Sequence, residues 1–198
     1  MKKREMNGKD LLLAFLYAPG IGTTYNEPIV GRTKLTKMMF LFEKQIYPGF
    51  FDETLEIKLP EFEPYFFGPF SKQMFEDLNF FEAIGFVEAI ETNIPLSVVD
   101  KVESTGVFDE NDEWNDASFN EKKEVYELSY SLSKNGFRYV SDNVWSVFTQ
   151  TQIDKLTAFK AQINRISLDS LLRYVYRKYP EEAKNSIIAK RYLNEENH

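Results

Sequence analysis

Few residues in this sequence can carry chemistry, and their types narrow the choice. There is no cysteine among 198 residues, and one histidine, His198, stands last. Disulfides, thiolate nucleophiles and Cys-ligated zinc are therefore absent, and no internal histidine is present to build a triad. Asp52, Glu56 and Lys58 share parity, so a strand would set them on one face, where two carboxylates hold Mg²⁺ and a lysine steadies a nucleophile. The Asp-to-Glu spacing is tight and no further acid is clearly placed beside them, so plain polar alternation is the simpler account. Asp109, Asn111 and Glu113 imitate the start of a calcium loop. Trp114, however, stands where the turn glycine belongs, and Asn120 where the bidentate Glu belongs. The expectation is a protein without catalytic residues, metal or cofactor.

Charge points to binding instead. Residues 1–50 hold 8 basic and 4 acidic residues, residues 51–130 hold 5 and 20, and residues 131–198 hold 11 and 7. An acidic middle thus separates two basic ends within a formal net charge of −7. Arg32, Lys34, Lys37 and Lys44 near the N-terminal end, Lys72, and Arg173, Arg177 and Lys178 near the other end are candidate contacts to phosphates or to an acidic partner; the competing account is a merely solvated helix face. Residues 61–70 pack five aromatics into ten positions. Tyr65, Phe67 and Phe70 are candidates for a partner-binding edge, although some of these rings must seal the core.

The elements that must position these residues are legible from periodicity. Asn7 caps a first helix through Leu11–Leu16, apolar nearly all round and so buried, which Pro19-Gly20 ends. A second helix from Thr33 to about Tyr47 turns Leu35, Met38, Met39, Phe42 and Ile46 inward, with Lys34, Lys37 and Lys44 on a basic outer side. Short extended pieces occupy 51–66. Ser71 caps a third helix with Met74, Phe75, Leu78 and Phe81 inside and Gly85 as its stop. Its outward face carries Lys72 and Glu76, and the helix also holds Asp77 and Glu82, which is poor chemistry for DNA phosphates. Strands follow at Phe86–Ile90 and Glu124–Tyr130. Between them lies a polar excursion with five acids in Asp109–Asp116, which reads as a solvated loop. Stripes at Phe137/Val140/Val144/Val147, Leu156/Phe159/Ile163/Ile166 and Leu168/Leu171/Leu172/Val175/Tyr179 predict helices to the end.

This order predicts an α+β, mostly helical chain, with a winged helix-turn-helix-like core, a long acidic wing or insertion and C-terminal helices. The division expected is 1–140 as the winged-helix-like domain, with the insertion at about 92–123, and 141–198 as a helical extension packed on it. The basic start before Leu11–Ala18 imitates an export signal, but Glu5 and Asp10 interrupt it and no cleavage motif follows. The apolar run is far shorter than the ~20 residues a bilayer span needs. A cytoplasmic protein with no membrane contact is expected.

Three short islands add a resemblance. Gly31-Arg32-Thr33-Lys34-Leu35-Thr36-Lys37-Met38-Met39-Phe40-Leu41, Tyr65-Phe66-Phe67-Gly68-Pro69-Phe70-Ser71 with the run down to Gly85-Phe86-Val87, and Leu171-Leu172-Arg173-Tyr174-Val175-Tyr176-Arg177-Lys178-Tyr179-Pro180 resemble motifs of the YwgA-like family of uncharacterised prokaryotic proteins. More distantly, the helix-two lysine pattern with the Gly-Pro pair resembles the Panacea antitoxin domain. The acidic insertion is not matched by these motifs. The resemblance implies a non-enzymatic winged-helix-type regulator, antitoxin-like or transcriptional-regulator-like, acting by DNA and/or protein binding. The alternative is a protein-protein interaction module that never touches DNA, and a metal-dependent nuclease comes last. Possible partners are DNA, a protein such as a toxin, and a second copy in a homodimer. On this reading Lys34→Glu with Lys37→Glu abolishes binding and leaves thermal stability unchanged.

Overall fold

The computed structural model describes residues 4–50, 55–95 and 126–186, together with 188, 189 and 192. Asp52 and the acidic stretch 109–116 lie outside the described residues. Those described form an α+β, mostly helical fold with six helices and three small sheets.

Strand β1 (Arg4–Asn7) leads into α1 (Gly8–Tyr17), where the Asn7 side chain accepts from the Asp10 amide at 2.8 Å. Leu11 to Ala18 are all buried, so α1 is the central rod of the core. Short β2 (Ile29–Val30) precedes α2 (Arg32–Leu41). Gly31 begins α2 with φ +87° while its amide donates to Leu128 O at 2.9 Å, a backbone setting that favours glycine. After Leu41 the helix widens. The Phe42 amide is shared between Met38 O and Met39 O, and the Tyr47 amide reaches Phe42 O, five residues back. This π turn, Phe42–Ile46, shifts the helical phase.

Strand β3 (Leu55–Lys58) pairs in parallel with β1, and β4 (Glu63–Tyr65) with β5 (Gly68–Phe70) forms a hairpin. The Ser71 side chain then caps α3 (Lys72–Ala83), accepting from the Met74 amide at 3.3 Å. Met74, Phe75, Leu78 and Phe81 are buried as their spacing required. Strands β6 (Val87–Pro95) and β7 (Tyr126–Leu132) pair antiparallel, and β2 adds to the free edge of β7, giving the order β2-β7-β6.

The rest is helical with interruptions. Helix α4 (Lys134–Tyr139) passes into a second π turn at Val140–Val144, and the expected stripe still faces inward, with Val140 and Val144 buried and Phe137 and Val147 packed against the core. Helix α5 (Gln150–Arg165) starts on a reciprocal Thr149–Gln152 cap, a device worth about 1 kcal/mol. Helix α6 (Leu168–Lys178) buries Leu171, Leu172, Val175 and Tyr176, and a short 3₁₀ turn, Pro180–Ala183, follows it. Among the described residues no helix is long and apolar enough to cross a membrane.

One expectation fails in an informative way. Helix α2 has no basic outer side, because every residue from Thr33 to Leu41 is buried. Hairpin β4–β5 and α6 pack against it, and its lysines serve as hydrogen-bond donors to backbone carbonyls in its neighbours.

Candidate nucleic-acid interface

The sequence-derived cations divide into two groups once their surroundings are known. Lys37, with no solvent exposure, donates to the Pro69 carbonyl of β5 at 3.1 Å. Lys34, at 9% exposure, donates to Ile166 O at 2.7 Å and Asn164 O at 3.4 Å, closing the C-terminus of α5 as a carbonyl cap. Burial pushes the Lys34 ammonium below its ordinary value, with the nearby Glu127 charge working the other way. Arg32 is also internally engaged. Its guanidinium donates to Tyr130 Oη at 3.2 Å and Glu82 Oε1 at 3.3 Å, and lies 5.0 Å from the Phe75 ring centroid. It thereby ties the start of α2 to α3 and β7. These three residues hold the fold; none is presented to a phosphate.

The three motif islands meet at this same place. Lys37 of the first reaches Pro69 of the second, and Phe40 stacks edge-on with Tyr179 of the third at 5.1 Å. Gly68 has φ +82°, and a Cβ there would come within 2.6 Å of the Tyr176 ring. The islands therefore describe a packing junction between α2, hairpin β4–β5 and α6. Of the expected aromatic edge, Phe67 is buried, and Phe70 packs between Tyr65 (5.0 Å) and Phe75 (4.8 Å), which leaves Tyr65 exposed.

The second group lies at the surface, with Arg173 half-buried, its guanidinium 5.8 Å from the centroid of the buried Tyr192 ring. Lys72 sits at the start of α3 beside Glu76 at 3.6 Å, on a helix whose outer side is acidic and apolar, with Phe80 and Ile84 in solvent. Arg173, Arg177 and Lys178, by contrast, lie together on the outer side of α6, while Lys44 on the π turn is held by Glu43, with the Glu182 charge acting on it. Ser170, Arg173, Tyr174, Arg177 and Lys178 line a shallow depression of about 420 Å³ there. The spacing i, i+3, i+4, i+7, i+8 puts all five on one helix face, opposite the apolar stripe.

The electrostatics of this face are cationic, with carboxylates at its rim. Arg173 meets Asp169 at 3.4 Å, and Lys44 meets Glu43 at 2.9 Å. Arg177 is exposed and has no partner among the described residues. Lys178 Nζ donates to Tyr174 Oη at 2.8 Å, a bond that pushes its ammonium above the ordinary value, so it stays charged at neutral pH. The π turn directs Gln45 to the same hydroxyl. Its Nε2 donates to Tyr174 Oη and to Tyr179 Oη, both at 3.0 Å. Tyr174 and Gln45 were not singled out from the sequence. The available signal was a tyrosine one position after Arg173 and four before Lys178.

Glu56 and Lys58 lie on the exposed side of β3, with Lys58 3.7 Å from Glu5. Among the described residues no group of three or more acids or histidines is close enough to hold a metal ion. Neither a family model nor a curated protein matches the chain.

Proposed function

We propose that this chain is a winged-helix-type regulator without enzymatic activity, transcriptional-regulator-like or antitoxin-like, that contacts nucleic-acid phosphates through the outer face of α6. The observation that carries the phosphate contact is the gathering of Arg173, Arg177 and Lys178 around one depression. The sheet order β2-β7-β6, with α1, α2 and α3 interleaved in chain order, supports the winged-helix reading. In that arrangement β6 and β7 are the two strands flanking the wing. The motif islands favour kinship with the YwgA-like proteins and, more distantly, the Panacea antitoxin domain. Helix α3 would ordinarily be the groove-reading helix. Its exposed side offers Glu76, Phe80 and Ile84, which neither neutralise phosphates nor pair with base edges.

The test is fluorescence anisotropy with labelled DNA across 50 to 200 mM salt. Three phosphate contacts give a slope of log K against log salt of about −3 on duplex and about −2 on a single strand. Measurable binding at 50 mM that falls with such a slope is the expected outcome. No binding to either form at 50 mM salt contradicts the proposal and favours the second reading, a protein-only module. Exposed Phe80 and Ile84 on α3 are the specific observation for that reading, with a toxin-like protein or a second copy of the chain as the partner.

A further inference from the structure

The α6 face has a feature that simple phosphate contact does not require, a large aromatic ring in solvent whose hydroxyl is hydrogen-bonded. Tyr174 is 41% exposed, although its hydroxyl is bonded by both Gln45 and Lys178. Those bonds fix the hydroxyl end and leave the ring standing out from the helix. The position of Lys178 matters here. Its Nζ is 2.8 Å from the hydroxyl oxygen but 5.3 Å from the ring centroid, so the ammonium lies beyond the hydroxyl and not over the ring. The π face is therefore not occupied by the neighbouring cation. Arg173 precedes the ring by one residue, and Arg177 and Lys178 follow within a turn. Along the helix these cations span about 7.5 Å.

An exposed ring among cations is the arrangement that binds unpaired bases. Every base has a π face to offer, and stacking tolerates any sequence. In a duplex the base faces are already occupied by their neighbours, so the ring could meet only the backbone and would contribute little. Resting on the phosphate-contact reading above, we infer that the α6 face is a single-strand site: one unpaired base stacks on Tyr174 while Arg173, Arg177 and Lys178 hold the adjoining phosphates. Asp169, which pairs with Arg173, keeps the site modest in affinity.

The experiment compares a labelled 12-nucleotide oligo(dT) strand with the same strand annealed to oligo(dA), using the full chain at 50 mM salt. The strand is expected to bind several-fold more tightly than the duplex. Tyr174→Ala should lose about tenfold on the strand and change little on the duplex, while Tyr174→Phe, which keeps the ring, retains most of the strand affinity. Equal or tighter binding to the duplex overturns the single-strand inference while leaving phosphate contact standing. So does strand affinity indifferent to Tyr174→Ala. Failure of both probes to bind overturns this inference together with the reading it rests on.

Discussion

Lys37→Glu is expected to leave the protein largely unfolded at room temperature, whereas Lys37→Met should fold with reduced stability. Lys37 has no solvent exposure and donates to Pro69 O at 3.1 Å. Glutamate there would bury an anion against a carbonyl oxygen, and an uncompensated buried charge costs about 3–5 kcal/mol or more. That is a large part of the 5–15 kcal/mol typical of a whole domain. Methionine fills similar volume and loses only the donor, at about 1–3 kcal/mol for the carbonyl left behind. Circular dichroism melts and urea midpoints of both variants give the comparison. A Lys37→Glu protein melting like the parent would mean that α2 does present a basic side, and the packing junction described above would be wrong. Substitution at Lys37 therefore reports on stability, because its ammonium is a buried donor.

Stability is also expected to rise with pH from 7 to 9, by about 2 kcal/mol. Lys160 of α5 is fully buried and closes the C-terminus of α1 by donating to Leu16 O at 2.9 Å and Ala18 O at 2.7 Å. A neutral amine has two N–H groups, and two carbonyls receive them. Burial brings the Lys160 ammonium from 10.5 down to about 7, against the opposing pull of the Glu27 charge. Unfolding above pH 7 therefore takes up a proton, and folding stability increases until pH approaches the unfolded value near 10.5. Burial of Lys34 adds a contribution of the same sign. Glu27 does not oppose it. Burial raises its carboxyl, but the Gly22 amide, the Asn164 side chain, the Ile21 amide and Lys160 together hold it below the ordinary range, so it stays ionised throughout. Urea midpoints at pH 7, 8 and 9 should climb in the parent, and Lys160→Met should flatten most of that climb. A flat parent profile, or a Lys160→Met profile equally steep, contradicts this account.

What the sequence disclosed and what it hid follow from the range over which each signal acts. Local signals were legible. Asn7 and Ser71 cap the helices they were expected to cap, and Gly85 takes φ +70° at the end of α3. The α6 stripe Leu171/Leu172/Val175 is buried, which left its other face, with Arg173 and Arg177, free to be read as outward. Non-local pairing was not legible. Strand β1 is four residues long and finds its partner at Leu55–Lys58, and β2 is two residues long and joins Tyr130 and Ser129 across the chain. Such short strands show no alternation that periodicity can detect. The lysines of α2 were misassigned for a related reason. A helical wheel registers Lys34 and Lys37 as polar, but the carbonyls of Ile166 and Pro69 that receive them lie 132 and 32 residues away. The π turns also escaped, since each shifts the phase of a 3.6-residue pattern. One of them places Gln45 against Tyr174, and with it the feature that distinguishes the α6 face.

The central claim is that α6, and neither α2 nor α3, meets the nucleic acid. Arg177→Glu with Lys178→Glu tests it most directly, because both residues are exposed and neither supports the core. Anisotropy of the oligo(dT) strand at 50 mM salt is measured for this double variant and for Lys72→Glu on α3, with a thermal melt of each. The account predicts unchanged melting for both, at least a tenfold loss of affinity for the α6 variant, and no loss for Lys72→Glu. Undiminished affinity in the α6 variant, or a loss confined to Lys72→Glu, would contradict it.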